Sequence, residues 1–148
     1  MEGLGRLHKR FRNRIDVDGT NKKNKMSAID ELKALSDKYD MRADHFHKDQ
    51  RGFVIMTRRG VEHVQAKIKA VVRFEIVPEW SDPTEGRYCV KAYAKCELGE
   101  VETYGEVSKG NNRNAYPIAM AEKRALSRAV LKLAGYGGIV YGEDEIDE

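Results

Sequence analysis

The sequence predicts an α+β fold: a three-stranded antiparallel meander backed by a C-terminal helix (a strand-strand-strand-helix core), with N-terminal helices and a short extra strand before it. Three observations lead there. Apolar residues recur every three or four positions as far as Ile68 and every second position from about Lys69 onwards. Two turn compositions, Ser81 to Gly86 and Leu98-Gly99-Glu100, cut the alternating stretch into three. Last, Pro117 to Ala134 contains no glycine, starts with proline where a first helical turn tolerates it, and stops at Gly135.

In chain order, Ser27 is placed to cap a helix carrying Ile29, Leu32, Leu35 and Tyr39 and running to about Lys38, with Asp30 in the capping-box position. RADHFHKDQRG, Arg42 to Gly52, is polar and reads as a connection; Phe53 to Met56 reads as a short buried strand. Thr57 then caps a helix that carries Val61, Val64 and Ile68 on one face. Within the meander, Val72, Phe74 and Ile76 alternate with Arg73, Glu75 and Val77. Tyr88, Val90, Ala92 and Ala94 alternate with Lys91, Tyr93 and Lys95, and Val101, Thr103 and Val107 with Glu102, Tyr104 and Glu106. One face is therefore apolar and the other rich in Lys, Arg and Tyr. The polar loop SKGNNRN leads into the last helix, where Ile118, Ala121, Ala125 and Ala129 form a narrow stripe suited to close packing on the sheet. Arg124, Arg128 and Lys132 follow one another four apart on another face.

A chain of 148 residues fits one domain, here residues 26–142, with a flexible basic arm at 1–25 and an acidic tail at 143–148. The arm alternates Arg6, Lys9, Arg10, Arg12, Arg14, Lys22, Lys23 and Lys25 with few apolar residues. The net charge is +3; the five carboxylates of the tail, Glu143, Asp144, Glu145, Asp147 and Glu148, mask +8 on the rest. A basic body with an acidic tail implies a polyanionic partner, plus a tail that competes for it or docks a protein partner. No apolar run reaches the roughly 20 residues of a membrane span, and the N-terminus lacks the apolar stretch of a secretion signal. The expected location is the cytoplasm. Cys89 and Cys96, an odd number of residues apart on one strand, point to opposite faces and are placed neither for a disulfide nor for a shared metal.

Catalysis finds little support. Asp16-Val17-Asp18-Gly19-Thr20 has the form of the aspartate motif of magnesium phosphatases, but RFRNRI before it is no buried strand. His45 and His47 have a strand-like spacing for a metal but lack a third ligand and read as surface histidines; His8 and His63 have no evident partners. Gly110 stands without the Gly-Lys-Ser/Thr of a phosphate loop. No cofactor, metal or catalytic residue is expected. Binding uses the features together: Lys67, Lys69, Arg73, Lys91 and Lys95 with Tyr93 and Tyr104 on the meander, Lys109, Asn111, Asn112 and Arg113 in the loop, and Lys123, Arg124, Arg128 and Lys132 on the helix. Cations track phosphates and aromatic rings accept unstacked bases.

Tyr116 to Glu145, YPIAMAEKRALSRAVLKLAGYGGIVYGEDE, resembles the signature helix and glycine-rich turn of phage-type single-strand annealing proteins, the Erf-like and Sak-like groups allied to the eukaryotic Rad fifty-two proteins. Their Ala-Glu-x-Arg-Ala-x-x-Arg-Ala and Gly-Tyr-Gly pattern is met by Ala121, Glu122, Arg124, Ala125, Arg128, Ala129 and Gly135 to Gly137, and the likeness extends over about residues 53–145. Residues 1–50 show no match. The resemblance implies ATP-independent binding of single-stranded DNA, annealing of complementary strands in recombination and repair, and assembly into a homo-oligomeric ring or filament. It implies that Arg124 and Arg128 face DNA or buttress its groove and that Lys109 to Arg113 edge it. The alternatives are an RNA- or double-strand-binding module and a magnesium phosphatase using Asp16 and Asp18.

Overall fold

The computed structural model describes residues 27–113 and 115–145. The basic arm, Asp16 and Asp18, Asn114, and residues 146–148 of the acidic tail lie outside the described residues. The chain divides within its first helix into residues 1–31 and 32–148. In the first unit Ser27 Oγ accepts the Asp30 amide at 3.1 Å, so the expected cap starts helix α1, Ala28–Lys38.

The second unit holds two three-stranded sheets. One has the order β1-β2-β6, with β1 (Phe46–Lys48) antiparallel to β2 (Val54–Met56) and β6 (Tyr141–Gly142) parallel to it. The stretch Arg42 to Gly52, expected as a plain connection, thus contains β1 and a 3-10 turn at Ala43–His45. Asp49 closes the β1–β2 hairpin: its Oδ1 accepts the amides of Arg51 and Phe53 at 2.9 and 3.0 Å. Helix α2, Arg58–Ile68, follows, with Thr57 Oγ1 accepting the Gly60 amide at 3.1 Å.

The other sheet is the expected antiparallel meander: β3 (Val71–Ile76), β4 (Tyr88–Cys96) and β5 (Gly99–Val107), in that order. Helix α3, Pro117–Ala134, backs it and ends at Gly135, whose φ of 95° is the left-handed conformation that suits glycine. Two buried clusters share α3. Val90, Ala92, Ala94 and Val107 pack with Ala121, Ala125 and Ala129; Val130, Leu131 and Ala134 pack with Tyr39, Met56, Val61, Val64 and Tyr136.

Gly105 sets the separation between helix and sheet. A Cβ there would stand 2.0 Å from the Ala121 carbonyl oxygen and 2.5 Å from the Ala125 nitrogen, so α3 lies on bare backbone. Thr103 Oγ1 donates to the Ala125 carbonyl at 2.7 Å beside it. Ile118, expected in the packing stripe, stays exposed; the close approach begins at Ala121. Among the described residues no helix is long and apolar enough to cross a membrane.

Candidate nucleic-acid interface

Because alternate residues of a strand share a face, the apolar set that meets α3 leaves Arg73, Glu75, Lys91, Tyr93, Lys95, Glu100, Glu102 and Tyr104 on the outward face of the meander. Register sets Arg73 opposite Tyr93 and Lys91 opposite Tyr104. The Arg73 guanidinium lies 4.1 Å from the centre of the Tyr93 ring. The Lys91 ammonium lies 4.8 Å from that ring and 5.6 Å from Tyr104. Trp80, carried over this face by a 3-10 turn at Pro78–Trp80, stands 5.6 Å from Tyr104 and is 60% exposed. Arg73, Tyr93, Lys91, Tyr104 and Trp80 therefore form one unbroken row of alternating cations and rings ending in an aromatic pair. An open hollow flanks each end. One of about 740 Å³ is lined by Arg73, Tyr93, Lys95, Glu100 and Glu102, and one of about 300 Å³ by Glu75, Glu79, Trp80, Lys91 and Tyr104.

This face is charge-balanced, not the cationic track that the residue types suggested. Lys91 pairs with Glu102 at 2.6 Å, Arg73 with Glu75 at 3.7 Å and Lys95 with Glu100 at 3.7 Å. The alternation that turns lysines outward on β4 turns glutamates outward on β5: Glu100 lies directly opposite Lys95, and Glu102, opposite Tyr93, reaches Lys91 diagonally. Its hydrogen bonds to Glu102 and then to Tyr93 raise the Lys91 pKa well above the usual lysine range, so its charge is fixed. Of the 27 Lys and Arg, eight lie in residues 1–26; of the 24 Asp and Glu, three lie there and two beyond residue 145. That leaves 19 of each sign on residues 27–145, so the positive excess belongs to the arm.

The helix cations stand elsewhere. Alanine packing puts α3 on the inner face, so the sheet separates Lys123, Arg124, Arg128 and Lys132 from Arg73, Lys91, Tyr93 and Lys95. Arg124 is only 4% exposed and meets no solvent groove. Its guanidinium donates to the Glu106, Asn111 and Asp144 carbonyls at 2.8, 2.7 and 2.8 Å and to Asn111 Oδ1 at 3.0 Å. Arg128 donates to the Tyr104 carbonyl at 2.5 Å and forks onto Glu145 at 2.6 and 2.7 Å, with Glu106 at 3.1 Å. The two arginines close the edge of β5 that does not face β4. The resemblance implied that Arg124 faces DNA or buttresses its groove; here it is instead buried as an internal clasp between β5, the loop and the segment after β6, because those carbonyls take up its guanidinium donors.

In the loop, Asn111 Oδ1 also accepts the Ser108 amide at 2.8 Å, which makes Asn111 a clasp; Lys109 lays its stem over Gly86, and Lys109 and Arg113 are exposed. Asn112 is partly buried. Lys69 is exposed at the C-cap of α2 with a left-handed φ of 55°. Glu143–Glu145, expected as part of an acidic tail outside the domain, form a 3-10 turn docked on the helices. Ser127 Oγ donates to Asp144 and the Arg58 amide to Glu143, because the acidic block meets the arginines of α2 and α3. His45, expected at the surface, is buried, its ring 4.8 Å from that of His63, while His47 is exposed on β1. Among the described residues no group of three or more His, Cys, Asp or Glu side chains is placed to hold a metal.

No protein-family model, curated protein or solved structure matches the chain. The site thus rests on its own geometry. Strand alternation does not reach Trp80, which lies in a connection; the available signal was a lone tryptophan in a polar, turn-forming segment.

Proposed function

We propose that this chain binds single-stranded DNA across the outward face of the meander, by base stacking rather than by tracking phosphates, and that it anneals complementary strands without a nucleotide cofactor. The observation that carries the proposal is the row Arg73–Tyr93–Lys91–Tyr104–Trp80, an aromatic platform on a sheet face with a hollow at each end. Stacking on such rings contributes roughly 1–3 kcal/mol per base, whatever the base. Stacking in a duplex contributes about 1.4 kcal/mol per step, of the same order, so passing bases from the rings to an incoming complement is close to balanced and calls for no external energy source. The neutral sheet supplies little long-range attraction; the eight cations of residues 1–26 supply it.

The acyl, phosphoryl or metal chemistry of an enzyme plays no part in this reading, and its setting is the cytosol. A homo-oligomer belongs to it as well. The arginines close β5, whereas β3 is the sheet's other edge and its Val71 is 74% exposed, so a second copy pairing there would cover apolar surface and satisfy free backbone groups.

Fluorescence anisotropy with a labelled single strand, its duplex and the same sequence in RNA tests the proposal. Tyr93→Ala and Tyr104→Ala should each weaken single-strand binding roughly 5- to 150-fold, the equivalent of 1–3 kcal/mol, with unaltered melting. Equal affinity for duplex, or variants that bind like the wild type, would overturn it.

A further inference from the structure

We infer that the hollow beside Trp80 selects a base and that the base it prefers is guanine, read by Glu79. This inference rests on the single-strand reading above. The hollow, about 300 Å³, is at the small end of ligand clefts and suits one base rather than a run of them. Its two exposed rings, Trp80 and Tyr104, offer the stacking surface.

What else lines the hollow decides what can enter. Glu75 and Glu79 face a single cation there, Lys91, and Glu102 already holds that ammonium at 2.6 Å. A phosphate would meet two carboxylates and no free cation, so the backbone passes outside and a base goes in. An ionised carboxylate only accepts hydrogen bonds, so the base edge it meets must donate. Thymine and uracil offer one N–H between two carbonyls, which repel the carboxylate on either side. Cytosine and adenine offer an amino group next to a ring-nitrogen acceptor. Guanine alone offers two adjacent donors, N1–H and the N2 amino group, matching the two oxygens of one carboxylate in the same forked geometry by which arginine meets aspartate. Arg73 engages Glu75 at 3.7 Å, whereas among the described residues Glu79 has no ion-pair partner. Glu79 is the carboxylate left to read the base.

Trp80 is the chain's single tryptophan, so its fluorescence reports on this hollow alone. The full chain is titrated with a thymine oligonucleotide and with the same oligonucleotide carrying one central guanine, adenine or cytosine, following Trp80 quenching and anisotropy together. The wild type should be quenched by the guanine strand at a concentration at least about fivefold lower than by the all-thymine strand, the low end for a two-point base contact. Glu79→Gln, which replaces one acceptor oxygen by a donor, should bring all four strands within about twofold of one another. Equal quenching by all strands in the wild type, or a guanine preference that survives Glu79→Gln, overturns base selection while leaving single-strand binding in place. Absence of both quenching and anisotropy change with every strand overturns the single-strand reading itself, and base selection with it.

Discussion

Arg124→Ala should destabilise the fold by about 3–5 kcal/mol. Four hydrogen bonds leave this one guanidinium, three of them to backbone carbonyls of β5, the following loop and the segment after β6. A hydrogen bond from a charged donor contributes roughly 1.5–3 kcal/mol net, but four on one planar group are not additive. Its removal leaves several buried carbonyls without a donor, at roughly 1–3 kcal/mol each before relaxation, and the arginine stem leaves a gap between α3 and the loop. Against a total stability of about 5–15 kcal/mol this is a large fraction. Urea unfolding followed by far-ultraviolet circular dichroism measures it: with a slope of about 1–3 kcal/mol per molar, the midpoint should fall by about 1 M or more. Arg124→Lys keeps the charge but not the fork and should recover only part of the loss. Arg73→Ala, at a side chain 67% exposed, should stay within about 0.5 kcal/mol of wild type. Arg124→Ala within about 1 kcal/mol of wild type would mean that the buried clasp carries no load, contrary to this expectation. If it is upheld, lost DNA binding in an Arg124 variant reports unfolding and says nothing of the interface.

Gly105→Ala drives a methyl group into the α3 backbone and should cost about 3 kcal/mol or more, seen as a thermal midpoint lower by roughly 10 °C; an unchanged midpoint would mean that helix and sheet separate freely. Burial first, and the neighbouring His63 next, hold the His45 pKa below its ordinary 6.5, and its Nδ1 accepts the Arg42 amide as a neutral ring does. The native state therefore binds fewer protons than the unfolded chain just below pH 6.5, so stability is full above that value and declines as pH falls through it towards the folded pKa; His45→Gln should flatten the difference in urea midpoint between pH 7.5 and 5.5. Deleting residues 1–26 should bring the slope of log K against log salt close to zero, since each phosphate neutralised on a single strand contributes about −0.7 and residues 27–145 carry 19 charges of each sign; an unchanged slope would place the phosphate contacts on the folded part.

The helices and the meander were legible because each runs long enough to repeat its period, and their caps, Ser27, Thr57 and Gly135, stand where a helix needs them. The first sheet was not. β1 and β2 have three residues each, and β6 has two that pair in parallel with Ile55 from across the chain, so no local pattern exists to read. Arg73, Lys91, Tyr93 and Lys95 were grouped correctly by alternation, yet the pairing of Lys91 with Glu102 and of Lys95 with Glu100 depends on the register of β5 against β4, which local pattern does not give. Arg124 went astray because charge suggested solvent, although it lies three residues after Ala121 and so one turn along on the packed side of α3. Its burial follows from the carbonyls it meets, which come from three separate segments.

Photo-crosslinking tests the central claim most directly. Irradiating the full chain with a single strand containing halogenated pyrimidines, followed by mass spectrometry of the peptides, locates the face that touches bases. The stacking account predicts adducts at Trp80, Tyr93 and Tyr104. Adducts confined to α3, around Lys123 and Lys132, would contradict it and move the DNA to the opposite side of the sheet.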